Sequence, residues 1–276
     1  MEKDVPSLLS TLGHHERLAL FRLLMRRYPD RVPAGELATS MQIKASTMST
    51  YLAALSRADL VVQERAGTSL LYSINMTSVR QMFDYLFVDC CRGRPEICMP
   101  LSTGSPLMSD RKYNVLFICT GNSARSIFAE SLLRKLAGDR FVAYSAGTKP
   151  YSELNPFALS VLKDKGHEIA GLRSKNVAEF NGPDAPELDF VFTVCNQAAN
   201  EECPAWEGQP ISGHWGMTDP VRAEGTEAEK SLAFQHAYGA LKRRIEAFTA
   251  LPVDSLDRIA LQTAIDEIGR TTQDRK

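Results

Sequence analysis

No apolar run in this 276-residue chain is long enough to cross a bilayer. Its first residues, Met1-Glu2-Lys3-Asp4, mix charges, and no apolar segment follows them. Neither a secretory leader nor a membrane anchor is therefore expected, and the chain reads as cytoplasmic. An excess of either charge is also missing: 32 Lys and Arg stand against 33 Asp and Glu. Residues 1–100 carry +2 and the remainder −3, too small an asymmetry to argue for or against nucleic acid. Histidine is scarce, at five residues. His14, His15, His167 and His236 show no ligand spacing, and His214 with Trp215 reads as a packing pair, so no histidine-built metal centre is expected. The six cysteines do not form the framework of a small secreted domain, which leaves reactive or ligating thiols. They fall into two groups of three: Cys90, Cys91 and Cys98, then Cys119, Cys195 and Cys203.

What is present is a soluble globular composition, 44% hydrophobic and 24% charged, with length for one or two domains. Residues 99–111 (MPLSTGSPLMSDR) hold two prolines, one glycine and four Ser or Thr, which is linker composition. The expected organisation is a first domain over 1–98, a linker over 99–111, a second domain over 112–250 and a helical extension over 251–276.

The first domain reads as helices and a hairpin. An apolar stripe from Leu8 to Leu24 marks one helix. Pro33 opens a short second helix, Ala34 to Met41, and Ser46 is the expected N-cap of a third that ends near Arg57. Met48, Leu52 and Leu55 form its inner side, leaving Ser46, Thr47, Ser49, Thr50 and Tyr51 largely outward. Val61–Arg65 and Leu70–Ile74 pair as a hairpin across Gly67, and a last helix runs from Thr77 to about Asp89. This is the pattern of an α+β winged helix-turn-helix. The later helix of the helix-turn-helix, the one that Ser46 opens, enters the major groove, where Ser and Thr reach base edges; Lys44, Arg57 and Arg65 suit phosphates. A protein-interaction module with the same apolar pattern is the alternative. Beyond the last helix, Cys90, Cys91 and Cys98 offer three sulfurs with no nearby histidine. That set suits a trigonal thiophilic centre such as arsenite or antimonite better than four-coordinate zinc.

After the linker, strand and helix alternate. Strands are expected at Tyr113–Thr120, Phe141–Ala146, Asp189–Cys195 and near Pro210–His214. Helices are expected at Ser126–Leu136, Asn155–Lys165 and Ala228–Phe248, giving an α/β Rossmann-like domain with a parallel sheet. The first strand ends in Cys119-Thr-Gly-Asn-Ser-Ala-Arg125-Ser126, a Cys-x5-Arg-Ser run with a helix starting at once. Such a run aims backbone N–H groups, a guanidinium and a helix N-terminus at the space above a thiol, a cradle for a tetrahedral oxyanion that also favours thiolate. Asp219-Pro220 follows the short strand, placed to protonate a leaving oxygen. Cys195 ends a strand parallel to that of Cys119, so the two thiols can share a rim. Any bond from Cys195 to Cys203 needs the intervening segment to be non-helical, since eight helical residues span about 12 Å. Residues Ser255 to Ile268 form a further amphipathic helix.

Two resemblances follow from these motifs. Residues 1–98 resemble the ArsR/SmtB family of winged-helix metalloregulatory repressors. The resemblance implies a homodimer joined through the first and last helices, binding the operator of an arsenic-resistance operon. It also implies arsenite bound at Cys90, Cys91 and Cys98. Residues 111–250 resemble the low-molecular-weight tyrosine phosphatase fold, and Cys195 with Cys203 makes its thioredoxin-coupled arsenate reductases the closer match. That resemblance implies Cys119 as the nucleophile on arsenate, with Gly121, Asn122, Ser123 and Arg125 holding the oxyanion. It further implies Ser126 bonded to the thiolate, Asp219 as the acid, and a relay from Cys119 through Cys195 to Cys203 that thioredoxin reduces. No tightly bound cofactor is implied; some members bind potassium beside the loop, and Asn122, Glu130 and Ser145 are the positions that match it. The chain departs from the family in having Ala124 where some relatives have a cysteine, and in a Cys195–Cys203 spacing one residue longer. A phosphatase tethered to a DNA-binding module is an alternative, which the two extra thiols disfavour. A DNA-binding sensor with an inactive second domain is another, disfavoured by the intact Cys119, Arg125 and Asp219.

Overall fold

The computed structural model describes residues 5–92, 111–182, 184–201, 206 and 208–270. The chain divides into two units, Met1–Thr103 and Gly104–Lys276, each with its own apolar core. Among the described residues, no helix is long and apolar enough to cross a membrane.

The first unit is helical with a small sheet. The stripe from Leu8 to Leu24 is carried by two helices instead of one, α1 (Val5–Leu12) and α2 (His15–Arg27). Gly13 lies in the break, where glycine costs a helix interior about 1 kcal/mol relative to alanine. A two-residue strand, β1 (Val32–Pro33), leads into α3 (Ala34–Met41), with Pro33 as the N-cap. Gln42, at φ 57°, turns the chain into α4 (Ala45–Arg57). This helix starts ahead of the expected Ser46 cap: Lys44 is the N-cap, extended, and no side chain caps the first turn. Met48, Leu52 and Leu55 are its buried residues, as the spacing requires. Strands β2 (Val61–Ala66) and β3 (Ser69–Ile74) pair antiparallel, with β1 on the far side of β3. The last helix, α5 (Met76–Asp84), widens into a π-helical turn at Tyr85–Cys90, closed by Cys91 N–H to Leu86 O at 2.9 Å.

The second unit is a parallel four-stranded sheet in the order β5-β4-β6-β7, made of β4 (Tyr113–Cys119), β5 (Phe141–Gly147), β6 (Phe190–Thr193) and β7 (Ile211–His214). Strand β4 is buried along nearly its whole length, which explains its unbroken apolar run. Helices α6 (Arg125–Ala137), α7 (Pro156–Asp164), the short α8 (Asn196–Asn200), α9 (Glu227–Thr249) and α10 (Arg258–Arg270) complete it. The chain leaves β4 towards β5 on one side and later returns to β6 on the other. The carboxyl end of β4 is therefore a topological switch point, where open α/β sheets bind ligands. Helix α10 belongs to the same core: Leu261, Ile265 and Ile268 are buried within it.

Candidate active site

Cys119 is the last residue of β4 and Arg125 the first of α6, so the oxyanion run is the turn between them. The Cys119 thiol is buried, 2.9 Å from Ser126 Oγ, and accepts the Asn122 backbone N–H at 3.2 Å. Ser126 Oγ accepts from Asn122 Nδ2 at 2.8 Å, which leaves the hydroxyl proton to face the sulfur. Asn122 has φ 42°, a left-handed conformation that asparagine tolerates better than most residues. Its amide braces the turn, donating to Ser145 Oγ at 2.9 Å while its carbonyl accepts Lys175 N–H at 2.7 Å.

The segment after β5 runs alongside the turn and binds its carbonyls. Thr148, Lys149, Tyr151 and Asn155 N–H donate to the carbonyls of Cys119, Thr120, Gly121 and Ser123 at 2.9–3.1 Å. In a trans peptide the N–H and C=O point in opposite directions, so drawing these carbonyls outward turns N–H groups towards the thiol side. The approach is close: a Cβ on Gly147 would lie 2.6 Å from Thr120 O, so only glycine fits there.

Arg125 and Asp219 meet across the site, with NH2 to Oδ2 at 2.8 Å. Asp219 also caps the 3-10 turn Pro220–Arg222 by accepting Val221 N–H. Cys195, just past the end of β6, is buried; its sulfur lies 3.4 Å from Thr120 Oγ1 and accepts Ala198 N–H at 3.3 Å. The topology thus brings Cys119, Asn122, Arg125, Ser126, Asp219 and Cys195 together at the carboxyl edge of the sheet. Cys203 lies outside the described residues; the helix after Cys195 ends at Asn200, short of it.

Burial pushes the Cys119 thiol above its ordinary value, and the neighbouring Cys195 adds to the rise. The Ser126 hydroxyl and the Arg125 charge oppose it. The cradle alone would favour thiolate, but the Arg125 guanidinium is engaged by Asp219, and burial outweighs what remains.

Asn122, Glu130 and Ser145, the positions the resemblance matched to potassium, form one hydrogen-bonded chain, and its Glu130 end holds an ammonium. Lys175 Nζ lies 3.0 Å from Glu130 Oε2, which also accepts from Ser145 Oγ, and Nζ is held by Arg173 O at 3.1 Å. Arg134 pairs with the other Glu130 oxygen at 2.6 Å. With two cations already on this carboxylate, the residues do not fit a resident potassium ion. Lys175 carries no local sequence signal and was missed. Arg244 was missed as well, although its place on the stripe of Leu241, Ile245 and Phe248 marks it as inward-facing; it is buried and binds the carbonyls of Trp215 and Gly216. His214 and Trp215 are buried packing residues, as expected, with His214 Nδ1 bonded to Thr193 Oγ1 at 2.7 Å.

In the first unit, Lys44, Ser46, Ser49, Thr50, Arg57 and Arg65 are exposed, and Thr47 and Tyr51 are half-buried. The Ser49 and Thr50 hydroxyls donate to Ala45 O and Ser46 O, and so face outward only as acceptors. Cys90 and Cys91 carry free thiols, exposed and half-buried respectively. Cys98 lies outside the described residues.

A buried cysteine closing a parallel strand, an arginine opening the next helix and a facing aspartate define a thiol-based oxyanion enzyme. Residues 114–259, just over half the chain, match the family described as low molecular weight phosphotyrosine protein phosphatase, and the chain belongs to that family. Its relatives include the arsenate reductase of Bacillus licheniformis, 38% identical over 138 residues, which cover 50% of this chain and 95% of that protein. The arsenate reductase of Bacillus subtilis is 36% identical over 134 residues, 49% of this chain and 93% of that protein. Among solved structures, an arsenate reductase in the phosphate binding state is 27% identical, with a TM-score of 0.41 over 49% of this chain and 94% of that one.

Proposed function

We propose that the second unit is an arsenate reductase and that the first is a DNA-binding, arsenite-responsive repressor. The observation that carries the enzymatic reading is the second buried thiol, Cys195, across Thr120 from Cys119 at the ends of adjacent strands. Phosphoester hydrolysis regenerates its cysteine with water and has no use for a resolving thiol, whereas arsenate reduction consumes two electrons that a thiol pair supplies.

In this reading the Cys119 thiolate attacks arsenate, held by Arg125 and the N–H groups of Gly121, Asn122 and Ser123. An As–S bond forms and an arsenate oxygen leaves as water, with its proton from Asp219. Cys195 then attacks the Cys119 sulfur. The As–S pair passes to arsenic, which leaves as arsenite, and a Cys119–Cys195 disulfide remains. Cys203 attacks Cys195 and frees Cys119, and a thioredoxin dithiol reduces the Cys195–Cys203 bond. The test is arsenate-dependent NADPH oxidation with thioredoxin and its reductase, on the wild type and on Cys195→Ser. Turnover by the wild type alone is expected; no turnover with arsenate alongside brisk hydrolysis of an aryl phosphate overturns the reading.

For the first unit, the support is a helix pair followed by a small antiparallel sheet, with Lys44, Ser46, Ser49 and Thr50 exposed along α4. In this winged helix-turn-helix reading, α4 enters the major groove. Arsenite at Cys90, Cys91 and Cys98 would act on the last helix, which also joins the two copies of a homodimer. A mobility shift on the chain's own promoter should weaken with arsenite, and an unchanged response in Cys90→Ser/Cys91→Ser overturns the sensor assignment.

A further inference from the structure

The family match stops at residue 259, within the first turn of α10, yet α10 packs on β7, the strand whose following loop carries Asp219. Strand β7 is an edge of the sheet, and α10 lies along it: Gln262 Nε2 donates to Ser212 O at 2.8 Å. The Ile265 side chain fills the space over Gly213, where even a Cβ would come within 2.6 Å of its Cγ2. Immediately after β7 comes Trp215, fully buried, its ring stacked on Phe192 at 4.0 Å and its indole N–H donating to Ile265 O at 3.3 Å. From Trp215 the chain runs through Gly216, Met217 and Thr218 to Asp219. Arg244 holds the carbonyls of Trp215 and Gly216 at 2.6 and 3.2 Å, and Arg125 NH1 holds that of Met217 at 3.4 Å. Among the described residues, this loop is thus held from the sheet, from α9 and α10, and by Arg125.

We propose that α10 is a positioning element for the proton donor. The Ile265–Trp215 contact fixes where the loop leaves the sheet, and through it where the Asp219 carboxyl stands relative to Arg125 and the leaving oxygen. Trp215 and Ile265 are positioning residues, neither of which touches the thiol. This inference rests on the reading of Asp219 as the acid of the arsenate reaction. Its physical basis is leverage: only three residues separate Trp215 from Asp219, so a displaced indole moves the carboxyl, and general acid catalysis depends on hydrogen-bond reach.

The test uses the full chain with Trp215→Phe, which keeps an aromatic ring against Phe192 and removes the N–H donor together with the second ring of the indole. The arsenate kcat should fall roughly tenfold, a fraction of the ~10²–10⁴ that a general acid supplies, with KM little changed. In an Asp219→Asn background the same substitution should cost nothing further, because the acid it positions is already gone. A purely structural role would instead cost the same in both backgrounds. The second readout needs no turnover. The amides of Val221, Arg222 and Ala223, bonded to Asp219 Oδ1, Asp219 O and Pro220 O, should exchange hydrogen roughly tenfold faster in Trp215→Phe. If that variant does not fold, Ile265→Val trims the side chain by which α10 packs on the end of β7 and should shift both readouts in the same direction. Full additivity in the double variant, or unchanged exchange at 221–223, overturns the proposal. A wild type inert towards arsenate whose exchange still responds to Trp215→Phe would overturn the reductase reading alone and leave the positioning role supported.

Discussion

Lys175 Nζ lies 3.0 Å from Glu130 Oε2, and both side chains are buried. The pair lies beneath the oxyanion turn: Glu130 accepts from Ser145, Ser145 accepts from Asn122, and Asn122 reaches Ser126 and, through its backbone, the Cys119 sulfur. A lysine here makes the cation of this network part of the chain. The wild-type rate should therefore be the same in potassium as in a bulky organic cation.

Lys175→Met should remove the ammonium and leave Glu130 with Arg134 alone. Breaking one side of a buried pair costs about 3–5 kcal/mol, and the remaining arginine places the loss near the lower end. Urea unfolding measures it. Lys175→Gln, which restores a polar group without charge, should become potassium-dependent in its steady-state rate, whereas the wild type stays indifferent.

The Cys119 thiol sits above its ordinary value, with burial the first cause, and the Ser126 hydroxyl is a force that lowers it. The reactive form is the thiolate, so activity is lost as pH falls through the thiol's pKa, and raising that pKa moves the ascending limb of the rate to higher pH. Ser126→Ala should move the limb further alkaline and lower the rate at neutral pH, while rates at the alkaline plateau converge. Iodoacetamide alkylation of Cys119 as a function of pH reports this directly. A limb unmoved by Ser126→Ala would mean that the hydroxyl at 2.9 Å does not stabilise the thiolate.

The oxyanion turn was legible in the sequence because its chemistry is local. Cys119, Gly121, Asn122, Ser123, Arg125 and Ser126 fall within eight residues, bounded by an apolar strand and a helix start. Asp219 and Cys195 were legible for a related reason, since parallel strands bring their carboxyl ends to one edge. Lys175 was not, because it meets Asn122 and Glu130 only through crossovers of 53 and 45 residues and lies in no periodic pattern. The break at Gly13 and the π-helical turn at Tyr85–Cys90 were hidden for another reason. An apolar stripe sets the buried side of a helix but says little about where its backbone ladder changes register. The amphipathic pattern of α10 was visible, but its place along β7 is a matter of tertiary packing.

His167 is buried between two hydroxyls, with Ser131 Oγ 2.9 Å from Nδ1 and Tyr238 OH 2.7 Å from Nε2. Burial pushes its pKa below 6.5, and the nearby Lys135 adds to the effect. The folded protein thus holds this imidazole neutral at pH values where the unfolded chain has protonated it. The stability it contributes is complete above the unfolded value near 6.5 and is lost as pH falls through the lower folded value. His167→Gln keeps hydrogen-bonding capacity without titrating. Its melting temperature should drop less than that of the wild type between pH 7.5 and pH 5, as followed by circular dichroism.

Along α4 the hydroxyl protons of Ser49 and Thr50 are spent on Ala45 O and Ser46 O, at 2.9 and 3.1 Å. If this helix reads DNA, those two residues can only accept from bases, which restricts them to the exocyclic amines of adenine and cytosine. Thr50→Val, which keeps the shape and removes the acceptor, should weaken binding by about 0.5–1.5 kcal/mol at one base position and relax the preference there. Lys44 and Arg57 stand at opposite ends of the helix, both exposed. Lys44→Ala or Arg57→Ala should weaken binding to all sequences alike and reduce the slope of log affinity against log salt by about 0.9 for each phosphate no longer neutralised. Fluorescence anisotropy on the promoter and on scrambled DNA across a salt series separates the two classes. A weakening at Thr50→Val that is equal on both DNAs would remove Thr50 from base readout, and no binding to either DNA would return this unit to the class of protein-interaction modules.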